Sequence, residues 1–165
     1  MTLVCVAVVA VTIAAVFFPS IRSTVGLNPV SAPGYRAGDR IDLPTGAYDD
    51  STLTVLVFVR SNCPACRRSQ PMFKDIADRL GGTPARMRLV IDHARAEAET
   101  EYATALGLAS TALIPADFLA LHLHVVPTLV LVDRSGEVLY ALEGVPSDEQ
   151  RDDLLRLVRA GGHAG

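Results

Sequence analysis

The stretch "FVRSNCPACRRSQP", Phe58–Pro71, places two cysteines three positions apart at the end of an apolar run. That run, "LTVLVFV" or Leu53–Val59, is apolar on both faces and rich in β-branched residues, which predicts a central strand of a covered sheet. Pro64 suits the first position of a helix, where a missing N–H costs nothing. Cys63 and Cys66 are therefore expected where a strand ends and a helix begins.

This position favours redox chemistry on sulfur. The N–H groups of a first helical turn point toward Cys63, and their positive polarity favours its thiolate. Cys66 is close enough in sequence to form a small disulfide ring, so we expect Cys63 to attack a disulfide and Cys66 to resolve the product. No dissociable cofactor is implied, because the electrons reside on sulfur. Arg60, Arg67 and Arg68 are either ordinary solvated charge or a positive surface that holds a thiolate or meets an acidic partner.

Other uses of a cysteine pair have less support. Structural zinc usually needs four ligands, and the third cysteine, Cys5, stands in an apolar leader. His122 and His124, two apart on a short helix, would point in different directions. A haem attachment would need histidine after Cys66, where Arg67 stands. Two unreactive core cysteines remain a further alternative.

Composition predicts one folded domain with an accessory segment. The chain has 165 residues, half of them apolar and 20% charged, which is enough for a hydrophobic core. Its formal charge is −3, and no basic patch is interleaved with aromatic residues. We therefore expect no nucleic-acid partner.

The rest of the domain predicts an α/β fold. A helical crossover after Leu53–Val59 makes the next strand parallel to it, and a four-residue turn makes the last two strands antiparallel. The expected result is a mixed sheet with helices on both faces. The other predicted elements are a helix from Pro64 kinked at Pro71, a strand Ala85–Asp92, a surface helix over 93–108, a helical piece Ala116–Leu123, strands Pro127–Asp133 and 137–144, and a C-terminal helix with a Ser147–Gln150 capping box.

The N-terminus predicts a membrane anchor. Residues 2–18 are 17 residues without a charge. As a helix they would be about 26 Å long, at the short end of a membrane span. A cleaved signal peptide is the main alternative, but a basic start and an evident cleavage site are missing. The predicted division is an anchor that contacts the lipid bilayer (1–19), a linker (20–38), the domain (39–160) and a disordered tail (161–165).

A family resemblance follows from two segments read together. "FVRSNCPACRRSQPMF" and "VVPTLVLVDRSGEVLYALEGV" resemble the thioredoxin fold, most closely its membrane-anchored redoxins of cytochrome c maturation and methylamine-dehydrogenase maturation. The resemblance implies a thioredoxin-like three-layer sandwich in which Pro127 is cis and lies against the sulfurs. It also implies that Val126 shapes substrate docking. With Pro64 and Ala65, these two residues are the expected substrate-binding set beside the catalytic cysteines.

The departures from the family matter for proton transfer. Family members commonly have Trp where Asn62 stands, and thioredoxin has a buried aspartate where Val57 stands. The cytochrome-maturation branch often has a glutamate where Ser69 stands. No proton acceptor for Cys66 is therefore identifiable from the family pattern. The peroxiredoxin pattern is also absent, so peroxidase activity is not expected.

The expected function is thiol–disulfide exchange on protein substrates by a single-pass, membrane-anchored domain on the extracytoplasmic, periplasmic side. A membrane thiol electron-transfer partner would restore the dithiol. Arg22 after the apolar stretch, taken literally, places the domain in the cytoplasm, whereas the redox chemistry favours the outside, and we follow the chemistry. The alternative is a non-catalytic thioredoxin-like binding module that aids assembly of an envelope enzyme.

Overall fold

The regular elements follow the apolar pattern of the domain. The computed structural model describes residues 34–44, 46–48, 51–107 and 112–162. All seven residues of the first strand are buried, as its two-sided apolar sequence predicts. The strands are β1 (Leu53–Val59), β2 (Ala85–Asp92), β3 (Leu113–Ala116), β4 (Thr128–Asp133) and β5 (Val138–Glu143), and the helices are α1 (Pro64–Arg68), α2 (Gln70–Leu80), α3 (Ala96–Ala105) and α4 (Asp148–Arg159).

The five strands form one mixed sheet in the order β3-β2-β1-β4-β5. β1 pairs in parallel with β2, and β2 with β3. β4 pairs antiparallel with both β1 and β5. The predicted directions of β2 against β1 and of β5 against β4 are confirmed. Because β1 is the central strand, the segment that follows it starts in the middle of the sheet, at the C-terminal end of β1.

The predicted sheet flanked by helices is confirmed, but among the described residues helices pack on only one of its faces. One face of the sheet packs against α2, α3 and α4, and every buried apolar helical side chain in the described ranges belongs to this cluster. The cluster on the opposite face contains residues from segments without regular structure, including Tyr35, Ile41 and Phe118. Phe118 lies edge-on to Phe58 of β1, with ring centroids 5.9 Å apart. Irregular segments therefore cover the face where helices were expected.

The helical piece predicted over Ala116–Leu123 is wrong. Ala116 ends the edge strand β3, which pairs with the end of β2. The chain then turns, because the Asp117 carboxylate accepts the N–H groups of Leu119 and Ala120. These bonds have the pattern of a helix N-cap, but only a single turn follows, because His122 has a left-handed conformation (φ 52°) that a helix does not continue through.

Two other helices also differ from their predictions. The helix predicted from Pro64 is interrupted near Pro71, as expected, but at Ser69, which separates α1 from α2 while keeping helical φ and ψ angles. The predicted surface helix, α3, buries one face, which includes Glu99 and Tyr102. Both differences lie close to the cysteine pair.

The predicted anchor lies outside the described residues, as do residues 20–33 of the linker and 163–165 of the tail. Among the helices that the structure describes, none has the length and apolar character needed to cross a bilayer. The domain boundaries at 39 and 160 stay predictions.

Candidate active site

The end of β1 presents the two cysteines together. After Val59 the chain makes a turn, closed by a hydrogen bond from the Cys63 N–H to the Arg60 carbonyl (3.0 Å). Cys63 is extended and caps α1, and its Sγ accepts the Cys66 N–H at 3.1 Å. Cys63 is half-buried and Cys66 fully buried, and both are free thiols. One sulfur is thus accessible and the other shielded, as a pair that attacks and resolves requires.

The bend before β4 lies against Cys63. The Val126–Pro127 peptide bond is cis, and the Cys63 Sγ lies 3.4 Å from the Val126 carbonyl oxygen. Val126 is half-buried and Pro127 is buried. In the first turn of α1, directly after Cys63, Pro64 is exposed and Ala65 half-buried. The cis bond at Pro127 that the resemblance implied is thus found, and the atom of the bend that contacts the Cys63 sulfur is the Val126 carbonyl oxygen.

Val145 extends this surface and was missed by sequence reasoning. The Gly144 N–H donates to the Pro127 carbonyl at 2.8 Å, so the segment after β5 lies beside the bend. Val145 follows directly and is 50% exposed. An apolar residue directly after a strand-ending glycine was the available signal. Val126 and Val145 thus both contribute apolar surface at the bend before β4.

Burial makes the second thiol a weak acid. Burial, followed by the hydrogen bond to Cys63, raises the pKa of Cys66 to about 12. Val57, at the position of the family's aspartate, is fully buried and supplies no carboxylate. Cys66 is therefore protonated at neutral pH and must lose its proton before it can attack.

Helix α3 supplies two further contacts to the motif. Glu99 is completely buried, and its carboxylate accepts the Ser61 N–H (2.6 Å) and the Ser61 hydroxyl (3.0 Å). Arg95 pairs with the same carboxylate at 3.4 Å. The buried Tyr102 hydroxyl donates to the Cys66 carbonyl at 2.9 Å. The signal for this face was a carboxylate within an apolar stripe that includes Tyr102.

Tyr102 stays a hydrogen-bond donor. Burial raises the pKa of its hydroxyl, and negative charge on Cys66 raises that pKa further. The hydroxyl therefore keeps its proton throughout the neutral range.

The arginines near the cysteines differ in their surroundings. Arg60 lies over the Phe118 ring (5.1 Å to its centroid) and pairs with Asp92 at 3.3 Å. Arg67 and Arg68 are exposed in the last turn of α1. Arg60 therefore supports the fold beside the site, while the other two face solvent. No cluster of three or more His, Cys, Asp or Glu side chains suited to a metal occurs within the ranges that the structure describes.

Solved structures share this arrangement of elements. StoA from Bacillus subtilis superimposes with a TM-score of 0.53 at 18% identity, covering 66% of this chain and 83% of StoA. A candidate DsbE-type thiol:disulfide interchange protein from Chlorobium tepidum gives 0.58 at 18% identity, covering 77% of this chain and 96% of that one. DsbF of MTB gives 0.53 at 20% identity, covering 67% and 81%.

The chain has a thioredoxin-like fold. No protein-family model matches the sequence, and no curated protein sequence matches it significantly. At these identities the structural similarity establishes the fold alone. The thioredoxin-like fold predicted from the sequence is confirmed, and the roles of individual residues stay predictions.

Proposed function

We propose that this protein is a thiol–disulfide oxidoreductase that acts on protein substrates through Cys63 and Cys66. The observation that carries the proposal is the setting of the Cys63 sulfur. It is partly accessible at the start of α1, accepts the Cys66 N–H, and lies against the Val126 carbonyl. The sulfur is therefore reachable by a substrate disulfide and has a backbone N–H donor within its own turn.

The exchange takes two steps. The Cys63 thiolate attacks one sulfur of a substrate disulfide, the S–S bond breaks, and the other substrate sulfur leaves as a thiolate that takes a proton from water. Cys66 then loses its proton, attacks the Cys63 sulfur of the mixed disulfide and expels the second substrate thiolate. Two electrons pass from the dithiol to the substrate, and Cys63–Cys66 becomes the disulfide. The reverse sequence oxidises a substrate dithiol.

The second step depends on deprotonating a buried thiol. With the pKa of Cys66 near 12, only a minute fraction is thiolate at neutral pH. Resolution of the mixed disulfide therefore needs water or a substrate group as proton acceptor, and its rate rises with pH.

Substrate docks on the apolar surface around the accessible sulfur. Val126 and Pro127 form one side, Pro64 and Ala65 the other, and the exposed Val145 extends the first side. An extended peptide on this surface would present its cysteine to Cys63. An exposed apolar surface suits an extended peptide, whereas small-molecule sites are typically concave pockets.

The domain acts outside the cytoplasm on a membrane anchor. The uncharged stretch of residues 2–18 supports the anchor, and thiol–disulfide exchange on protein disulfides suits an oxidising compartment. A membrane thiol partner would restore the dithiol, and the tether would keep the two close.

Cysteine variants of the full chain test the function. We expect wild type to reduce insulin disulfides, Cys63→Ser to lose this activity, and Cys66→Ser to accumulate mixed disulfides. The control, Cys5→Ser, keeps the activity. If Cys63→Ser retains the reductase activity, or if it loses that activity but retains full cellular function, the proposal fails. The second result would instead indicate a non-catalytic binding module.

A further inference from the structure

Helix α3 contacts the dithiol motif on both sides of Cys63. Upstream, Glu99 holds Ser61, which stands two residues before the sulfur. Downstream, Tyr102 holds the carbonyl of Cys66 itself. Glu99 and Tyr102 are three residues apart, so they lie on the same helix face. A single rigid element thus touches both ends of a six-residue segment.

The geometry of Glu99 indicates a residue that holds Ser61 in place and not a general base. Its two oxygens already accept the N–H and hydroxyl of Ser61, and Arg95 balances its charge. Both carboxylate oxygens are therefore engaged by Ser61 and Arg95 and not by Cys66. Burying such a group is costly unless its bonds are made, so Ser61 is held firmly in place.

We propose that Glu99 and Tyr102 are positioning residues that hold the segment from Ser61 to Cys66 so that the Cys63 sulfur receives the Cys66 N–H. The inference rests on the proposed function, since it explains how the attacking thiolate is set up. Glu99 fixes the turn that leads into Cys63, and Tyr102 fixes the main chain that supplies the N–H donor. Loss of either contact lets the sulfur and its donor separate.

A matched pair of substitutions separates the hydrogen bonds that Glu99 accepts from its negative charge. Glu99→Gln and Glu99→Ala both remove the negative charge, but only Gln keeps an oxygen that accepts the Ser61 N–H. If Glu99 acts through its charge, the two variants behave alike. If it acts by holding Ser61, the Gln variant keeps the activity that the Ala variant loses. Tyr102→Phe keeps the buried ring and removes only the hydroxyl, and Thr100→Ala, on the exposed face of α3, serves as the control.

Two readouts on the full chain test the inference. The first is kcat/KM for insulin-disulfide reduction, where we expect Glu99→Ala to fall about tenfold, Glu99→Gln to stay within about threefold, and Tyr102→Phe to fall about threefold. The second is the thiolate absorbance of the reduced protein at 240 nm and pH 7. There we expect less thiolate in Glu99→Ala than in Glu99→Gln, with Thr100→Ala unchanged in both readouts.

Equal behaviour of the Ala and Gln variants, or wild-type behaviour of Tyr102→Phe, overturns the inference. Should Glu99→Ala not fold, as judged by circular dichroism, Tyr102→Phe alone decides. The absorbance needs no substrate. If wild type fails to reduce disulfides, the proposed function is wrong, but the absorbance still tests whether Glu99 and Tyr102 position the Cys63 sulfur.

Discussion

The two sulfurs of the motif differ in exposure and in acidity. Cys63 is half-buried, whereas Cys66 is completely buried with a pKa near 12. We expect iodoacetamide at pH 7.5 to modify Cys63 and to leave Cys66 unmodified in the folded, reduced protein, because only a thiolate that the reagent can reach reacts. Peptide mass spectrometry measures the two sites separately. Labelling in guanidinium chloride is the control and should modify both, and equal labelling in the folded protein would contradict the assignment.

The acidity of Cys66 also predicts a pH dependence of stability. In the unfolded chain its thiol titrates near its ordinary pKa of 9.0, while in the folded protein it keeps its proton until about 12. Between these values the unfolded state binds fewer protons, so this contribution is complete below pH 9 and is lost as the pH rises toward 12. The loss amounts to at most about 1.4 kcal/mol per pH unit for one proton.

Cys66→Ala isolates this effect from other groups. Buried tyrosines such as Tyr102 also have raised pKa values and lower the stability of both proteins at high pH. The measurement is the free energy of unfolding from urea titrations of reduced protein at pH 8, 9 and 10. We expect the advantage of wild type over Cys66→Ala to shrink with pH, and a constant difference would show that the folded thiol titrates normally.

The site residues that were predicted differ from those that were missed in how far along the sequence their contacts reach. Cys63 and Cys66 were predicted because three positions in sequence already place them together, and Pro127 because the resemblance implied it. Glu99 contacts Ser61 across 38 positions, and Tyr102 contacts Cys66 across 36. Their partners depend on where α3 packs, which local pattern does not encode.

At the scale of elements, the apolar pattern predicted the strands whose own sequence determines their structure. β1 and β2 have the predicted bounds because their apolar residues are continuous and turn residues flank them. β3 was missed because it is four residues long and contains Pro115. Its pairing partner β2 makes it a strand, and proline is tolerated because β3 lies at the sheet edge. Short elements of this kind take their structure from their neighbours.

The cap of α4 offers a prediction for one element. The Ser147 hydroxyl accepts the Gln150 N–H, and the Gln150 side chain accepts the Ser147 N–H, as the capping box predicted. We expect Ser147→Ala to lower the free energy of unfolding by about 1 kcal/mol in urea titrations, because it leaves a helix N–H without its acceptor. Ser147→Asp keeps an acceptor and should stay close to wild type. A Ser147→Ala variant as stable as wild type would show that the cap contributes nothing.

At the scale of the whole molecule, the site forms where three distant segments meet. The end of β1 supplies the dithiol, the bend before β4 covers it, and α3 holds it from the helical side of the sheet. The strand order makes the first meeting predictable, since β1 and β4 are neighbours. The position of α3 was not, because its sequence reads as a charged surface helix. The sequence thus predicted the juxtaposed cysteines but not the helix that contacts their segment.

The proposed anchor predicts where the whole protein resides. If residues 2–18 span the bilayer, the full chain sediments with membranes, resists alkaline carbonate and is released by detergent. Ala10→Arg places a charge at the centre of the span, which costs about 2.5–3.5 kcal/mol and should move protein into the soluble fraction. Thr24→Arg, beyond the apolar stretch, is the matched control and should stay in the membrane. Soluble wild-type protein, or equal behaviour of the two variants, would exclude the anchor.

The side of the membrane decides whether the proposed chemistry has substrates. Arg22 alone favours a cytoplasmic domain, but one positive residue biases orientation weakly. In the cytoplasm the glutathione pool keeps most protein disulfides reduced, so a tethered reductase would find few substrates there. We therefore expect a C-terminal reporter that is active only in an oxidising compartment to be active. The same reporter fused to Ala10→Arg is the control and should be inactive. An inactive reporter on the wild-type chain would place the dithiol in the cytoplasm and remove the proposed envelope substrates.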